Sequence, residues 1–101
     1  MRRMMIRYTV KPSEAATNEK LVRAVYAELD QVQPGGLGYA TFKLDDGLTF
    51  VHLVQMDGDG PGPLQQIAAF GEFTAGVEAR CEVLPQTSTL HEVGSYRLFT
   101  P

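Results

Sequence analysis

The chain has no tryptophan, one cysteine and two histidines. With Cys81 alone, no intramolecular disulfide can form, which fits a reducing compartment. No stretch of about 18 consecutive apolar residues occurs, so no membrane partner is expected. The opening residues, MRRMMIRYTV, carry two arginines but no apolar core of a signal peptide, and a cytoplasmic location is expected. Positive charge is also scarce. Nine Lys and Arg stand against twelve Asp and Glu, for a net charge of -3. The basic residues are scattered, and Arg2-Arg3 is their only pair, so no nucleic-acid partner is expected.

Motifs for bound ions and cofactors fail on particular residues. The loop DGDGPGP, residues 57–63, opens like a calcium site. Pro61 then stands where the third acid belongs, and Ala68 where the closing glutamate belongs. The same loop fails the dinucleotide fingerprint, because Pro63 replaces its third glycine. No zinc spacing, P-loop or serine elbow occurs. No metal and no cofactor is expected.

What is present suits one folded domain over residues 1–101. Apolar residues make up 44% and charged residues 21%, a balance that rules out disorder. Met4 to Lys11 alternates, with Met4, Ile6, Tyr8 and Val10 on one side and Met5, Arg7, Thr9 and Lys11 on the other. That is a half-buried strand. Leu21, Val25, Leu29 and Val32, widened by Val22 and Tyr26, mark a helix over 14–32. Ser13 is its expected N-cap, and Pro34-Gly35-Gly36 ends it. Tyr39 to Val54, YATFKLDDGLTFVHLV, predicts a β-hairpin within 37–56, with Asp46-Gly47 as a two-residue turn. A second helix is expected over 64–83, broken near Gly71. A last strand is expected from Thr87 to Phe99, with Gly94 as a bend.

The order β-α-β-β-α-β predicts an α+β, ferredoxin-like fold: a four-stranded antiparallel sheet with two helices on one face. The turn pairs Phe42 with Val51 and Thr41 with His52. One hairpin face then holds Ala40, Phe42, Leu44, Val51 and Leu53, and is read as the core. The other holds Tyr39, Thr41, Lys43, Phe50, His52 and Val54. Arg7 and Thr9 are expected to join that second face, which the monomer leaves bare. A bare apolar face of this size predicts a homodimer.

The opening strand MIRYTVKP, the hairpin ending FVHLVQ, the helix LQQIAAFGEFTAGVEARC and the closing strand VGSYRLF together resemble the dimeric α/β-barrel superfamily. Within it, they resemble the antibiotic biosynthesis monooxygenase-like group. The resemblance covers nearly the whole chain. It implies two sheets packed face to face across a homodimer and a small organic ligand in the barrel or between sheet and helices. It also implies a cofactor-independent monooxygenase or a related proton-transfer enzyme acting on a small aromatic or oxygenated metabolite. The alternative is a non-catalytic ligand-binding or structural module. The tryptophan and helical histidine used by haem-degrading members have no counterpart here.

His52 is the candidate catalytic residue. A mid-strand imidazole serves as a general base or ligand contact, or else as a hydrogen-bonded histidine buried at a dimer interface. Arg7 is a candidate for binding an anionic substrate, or for an ion pair. Tyr39, Thr41, Phe50 and Tyr96 complete the candidate ligand-binding set, with simple strand packing as the alternative for the aromatics. His91 and Glu92 adjoin in the last strand and so point to opposite faces. Cys81 is expected as a small buried hydrophobe on the second helix.

Overall fold

The computed structural model of the chain describes residues 1–98. Its elements are β1 (Arg2–Val10), α1 (Ala15–Val32), β2 (Leu37–Lys43), β3 (Thr49–Met56), α2 (Ala68–Ala75), α3 (Val77–Arg80) and β4 (Cys81–Leu90). Short 3-10 turns at Pro12–Glu14 and Pro63–Gln66 precede α1 and α2. The four strands form one antiparallel sheet in the order β2-β3-β1-β4. This is the expected α+β, ferredoxin-like arrangement, with the second helical segment in two pieces.

The alternation in β1 sets the sheet. Tyr8 and Val10 are almost fully buried, while Arg7, next to Tyr8 in the strand, is exposed on the other side. The hairpin takes the predicted register, with Thr41 opposite His52 and Phe42 opposite Val51. Its turn differs from the two-residue form. The Gly47 N–H bonds the Leu44 carbonyl at 2.9 Å, and Gly47 alone adopts a left-handed φ of 72°. Asp46 instead accepts from the Leu48 and Thr49 N–H groups and the Thr49 hydroxyl at 2.7–2.8 Å. The carboxylate closes a four-residue loop that the Asp-Gly pair alone suggested would be tighter. Both loops centre on the same point, which is why the register survives.

α1 buries Asn18, Val22 and Val25 and ends at Gln33, whose left-handed φ of 49° lets its N–H reach the Leu29 carbonyl. Ser13 makes no cap; it lies inside the 3-10 turn that Pro12 opens. Glu28 of α1 accepts the Ala68 and Ala69 N–H groups at 3.1 and 2.9 Å. A carboxylate thus caps the start of α2 from the neighbouring helix. The expected helix over 64–83 is shorter than its apolar pattern. Gly76 separates α2 from α3, and Cys81 already pairs with Val10 as the first residue of β4. β4 therefore starts six residues before Thr87. Pro85 is tolerated because β4 is an edge strand and its ladder with β1 is interrupted between Arg7 and Thr9. Gly94 lies beyond the strand, in a tail of irregular backbone, and Phe99 lies outside the described residues.

The assignment of the two sheet faces is reversed. Register places Tyr8 opposite Phe50, Ile6 opposite His52 and Met4 opposite Val54, and Tyr39 opposite Val54. These residues share the side covered by α1, α2 and α3. The hairpin's more uniformly apolar side, with Ala40, Phe42, Val51 and Leu53, is the one without helices, and β1 adds Met5, Arg7 and Thr9 to it. Apolarity within the hairpin pointed one way; pairing with β1 decided the other.

Candidate functional site

His52 sits mid-strand in β3, flanked by β1 and β2, and is only 2% exposed. Both ring nitrogens have hydroxyl partners. Nε2 lies 2.8 Å from the Tyr8 hydroxyl, and Nδ1 lies 2.7 Å from the Tyr39 hydroxyl and 3.0 Å from Thr41 Oγ1. On the far side of Tyr8, Asn18 Nδ2 donates to its hydroxyl at 2.9 Å. Arg80 Nε donates to Asn18 Oδ1 at 3.0 Å, and Arg80 Nη2 to the Phe73 carbonyl at 2.8 Å. On the near side, Thr41 Oγ1 lies 2.7 Å from the Tyr26 hydroxyl. Seven side chains from β1, β2, β3, α1 and α3 thus form one continuous polar chain, from Arg80 to Tyr26.

The chain is wrapped in rings. Tyr8 stacks on Phe50 at 5.6 Å between centroids, Phe73 tilts over His52 at 5.3 Å, and Tyr39 stacks on Tyr26 at 5.4 Å. Arg80 lies over the face of Phe73 at 5.4 Å, a buried cation without a carboxylate among the ion pairs of the described residues. Every buried side-chain polar atom among the described residues has a partner. That satisfaction is what lets so many polar groups stay inside, since an unmade buried hydrogen bond is costly.

Burial dominates the electrostatics. It pushes the His52 pKa down from 6.5 to about 4, so the imidazole is neutral at physiological pH. It pushes the Tyr8 hydroxyl up to about 12, against the opposing pull of the Asn18 hydrogen bond and the Arg80 charge. Tyr39 is raised by burial and then by the neighbouring Tyr26 and Tyr8 hydroxyls, and Tyr26 is raised by burial. A neutral histidine of this kind is a weak base. It can orient hydroxyls and donate or accept one hydrogen bond at each nitrogen.

The chain ends in the open. Tyr26 and Thr41 form part of the wall of a cavity of about 260 Å3, with Glu19, Arg23, Lys43 and Phe50. Glu19 bridges the two cations, at 2.7 Å to Lys43 and 2.8 Å to Arg23, and those hydrogen bonds hold its carboxyl below the usual range. A second cavity, about 780 Å3, lies on the sheet face without helices. Arg3, Ala40, Leu53 and Gln55 face Val93 and Leu98 of the tail across it. His91 also lines it, and its charged pair, Arg3 and Glu92, meets at 3.5 Å.

Of the expected site residues, Tyr39 and Thr41 do bond His52, and Phe50 lines the smaller cavity. Arg7 does not join them. It pairs with Val51 and Gln86 on the opposite face, because odd positions of β1 face away from His52. Tyr96 is 80% exposed in the tail, where the expected last strand has already ended. His91 lies in the same tail rather than in a strand. Cys81 is buried as expected, but as the first residue of β4, and burial pushes its thiol up. Among the described residues, no three His, Cys, Asp or Glu side chains gather as a metal site requires. No helix among them is long and apolar enough to cross a membrane.

Sequence reasoning missed Tyr8 as a partner of His52, and Asn18, Arg80 and Tyr26 as further members of its chain. One signal was available. Asn18 precedes Val22 by four and Val25 by seven, so it lies on the buried stripe of α1, where a polar side chain must have an internal partner. Nothing local marks Arg80.

Solved structures share this fold. An antibiotic biosynthesis monooxygenase superposes with a TM-score of 0.68 at 14% identity, over 93% of this chain and 100% of its own. The fold is that of the antibiotic biosynthesis monooxygenase-like proteins. PA3566 from Pseudomonas aeruginosa gives 0.70 at 20% identity, over 92% and 94% of the two chains. Rv0793 from Mycobacterium tuberculosis gives 0.68 at 12% identity, over 93% and 96%. No family model matches the chain, and no curated protein does. At such identities the likeness extends to the fold and not to the residues of a site.

Proposed function

We propose that the protein is a homodimer that binds a small oxygenated aromatic molecule between sheet and helices, in the cavity bounded by Tyr26, Thr41 and Phe50. There it acts by cofactor-independent proton transfer or oxygenation. The observation that carries this reading is the polar chain itself, which starts in the core and ends at a cavity. A cavity of about 150 Å3 is enough for a benzene-sized guest, and this one is about 260 Å3. Phe50 and Tyr26 offer ring faces, Tyr26 and Thr41 offer hydroxyls, and Lys43 and Arg23 offer positive charge for a phenolate or enolate. His52 polarises the hydroxyls from behind, the kind of fixed dipole arrangement that stabilises charge developing on a substrate oxygen. The shared fold with a structure described as an antibiotic biosynthesis monooxygenase supports the same class of chemistry.

The homodimer would use the sheet face without helices, where Phe42 is 41% and Val83 52% exposed. Covering apolar surface stabilises by about 25 cal/mol per Å2.

One observation favours a second reading. His52 is fully partnered and reaches no cavity wall itself, so the network also suits a purely structural core in a ligand-binding or scaffolding module. Titration of wild type and Thr41→Val with a panel of small phenols and quinones separates the two. The functional reading requires a ligand-induced rise in Tm in wild type that Thr41→Val loses. No shift in wild type at millimolar ligand leaves the structural reading standing.

A further inference from the structure

We infer that Arg80 and Asn18 fix the tautomer of His52, and through it the direction of the whole hydrogen-bond chain, so that Tyr26 offers a proton to the cavity. Each link follows from which groups can only donate. A guanidinium has no acceptor, so the group facing Arg80 Nε at 3.0 Å is the Asn18 amide oxygen. The amide nitrogen of Asn18 therefore faces Tyr8, and it too can only donate, at 2.9 Å. The Tyr8 hydroxyl accepts that bond. Its own proton has one other polar neighbour, His52 Nε2 at 2.8 Å. Nε2 must then be the bare nitrogen, and the ring proton of the neutral imidazole sits on Nδ1.

From Nδ1 the direction continues outward. The Nδ1–H is shared between the Tyr39 hydroxyl at 2.7 Å and Thr41 Oγ1 at 3.0 Å. Tyr39 can no longer donate to Nδ1 and accepts there. Thr41 accepts from Nδ1–H, so its own proton goes to its other partner, the Tyr26 hydroxyl at 2.7 Å. The Tyr26 proton is left pointing into the cavity. Reversing a link between Arg80 and His52 strands the buried Tyr8 proton or sets two donors against each other, both costly inside a protein. Arg80 and Asn18 are thus positioning residues. They touch no ligand, yet they determine which kind of atom the cavity receives.

The chemical class selected is a ligand presenting an acceptor oxygen to Tyr26, such as a ketone, a quinone carbonyl or a phenolate. This last step rests on the cavity being the binding site; the direction of the chain does not.

The test is 15N NMR of the His52 ring at neutral pH, with two variants and two probe molecules. Wild type is expected to show Nδ1 protonated and Nε2 bare. Asn18→Asp keeps the shape and the contact with Arg80 but replaces the donor to Tyr8 by a carboxylate. The Tyr8 proton then turns to that carboxylate, and His52 is expected to switch to the Nε2–H form. Arg80→Met frees the amide to turn, and a mixture of tautomers is expected. An Nε2–H wild type, or an Asn18→Asp protein that keeps Nδ1–H, overturns the inference. A pure Nδ1–H form in Arg80→Met removes Arg80 from it. If Asn18→Asp does not fold, the wild-type spectrum and Arg80→Met still decide.

The probes are acetophenone, which only accepts, and indole, which only donates. Acetophenone is expected to bind wild type several-fold more tightly and to shift the Tyr26 and Thr41 resonances. In Asn18→Asp the preference is expected to reverse. Equal or tighter indole binding to wild type overturns the ligand class. If neither probe binds while the tautomers are as inferred, the binding site is wrong and the ligand class falls with it. The direction of the chain then stands.

Discussion

The two faces of the hairpin are composed against intuition. The face under the helices carries Tyr39, Thr41 and His52, with Tyr8 of β1 beside them, while the face without helices carries Ala40, Phe42, Val51 and Leu53. The polar face is the drier one: Tyr8 is 1% exposed and His52 2%, against 41% for Phe42. Burial here follows whether a side chain finds partners. Each hydroxyl on the covered face is matched by a nitrogen or another hydroxyl, and the rings around them supply the apolar bulk. The other face carries only short polar links, Arg3 with Gln55 and Glu92, and Thr9 with Thr49.

The sharpest break of this comparison is a carboxylate placed on each face in turn. Phe50→Asp removes a buried ring, a loss of about 3–5 kcal/mol on truncation alone, and adds a charge without a partner. No folded protein is expected by circular dichroism. Phe42→Asp is expected to leave the fold intact and to abolish the homodimer, so that sedimentation gives 11.1 kDa rather than twice that mass. A Phe42→Asp protein that unfolds, or a wild type that sediments as a monomer, would undo the proposed roles of the two faces.

Next in size is Asn18→Ala. It strands Arg80 Nε and removes a donor from Tyr8 at once. Hydrogen bonds to charged groups contribute about 1.5–3 kcal/mol, so a loss of about 3 kcal/mol is expected in urea denaturation. A loss under about 1 kcal/mol, the scale of a single neutral bond, would mean that water replaces the amide.

His52 gives a comparable effect that depends on pH. Its folded pKa, about 4, lies below the ordinary 6.5. Between those values the unfolded chain binds the extra proton, so stability rises with pH through this window. The contribution is fully present above pH 6.5 and is lost as pH falls towards 4. At 1.36 kcal/mol per unit it amounts to about 3 kcal/mol. The difference in unfolding free energy between wild type and His52→Gln should therefore carry this slope. Parallel pH profiles would place His52 in contact with water.

The smallest effect is expected from Thr41→Val. It removes the link between Tyr26 and the rest of the chain at roughly constant shape, for about 1 kcal/mol of stability. Its value lies in ligand binding, which should weaken far more than stability does.

Much of this was legible in the residues. Alternation in 4–11 gave β1 and its two sides, because a strand turns each side chain over. The periodicity of Leu21, Val25 and Leu29 gave α1, and Asp46-Gly47 gave the hairpin register, because these signals are local. The end of the second helix was not legible. Phe73, Val77 and Cys81 continue a helical spacing that tertiary pairing of Cys81 with Val10 cuts short. Tyr39 and Thr41 were correctly placed beside His52, since all three lie on one hairpin. Arg7 was misplaced, since its side relative to the hairpin depends on how β1 pairs with β3.

The sequence by itself determined the element types, their order and the facing of residues within each element, all set by backbone periodicity over a few residues. Only the tertiary structure decided which sheet face the helices cover. It also decided that Asn18 and Arg80, 62 residues apart, meet behind Tyr8. The physical reason is that a buried polar side chain is stable only where a distant partner completes its hydrogen bonds. No local pattern records where that partner comes from.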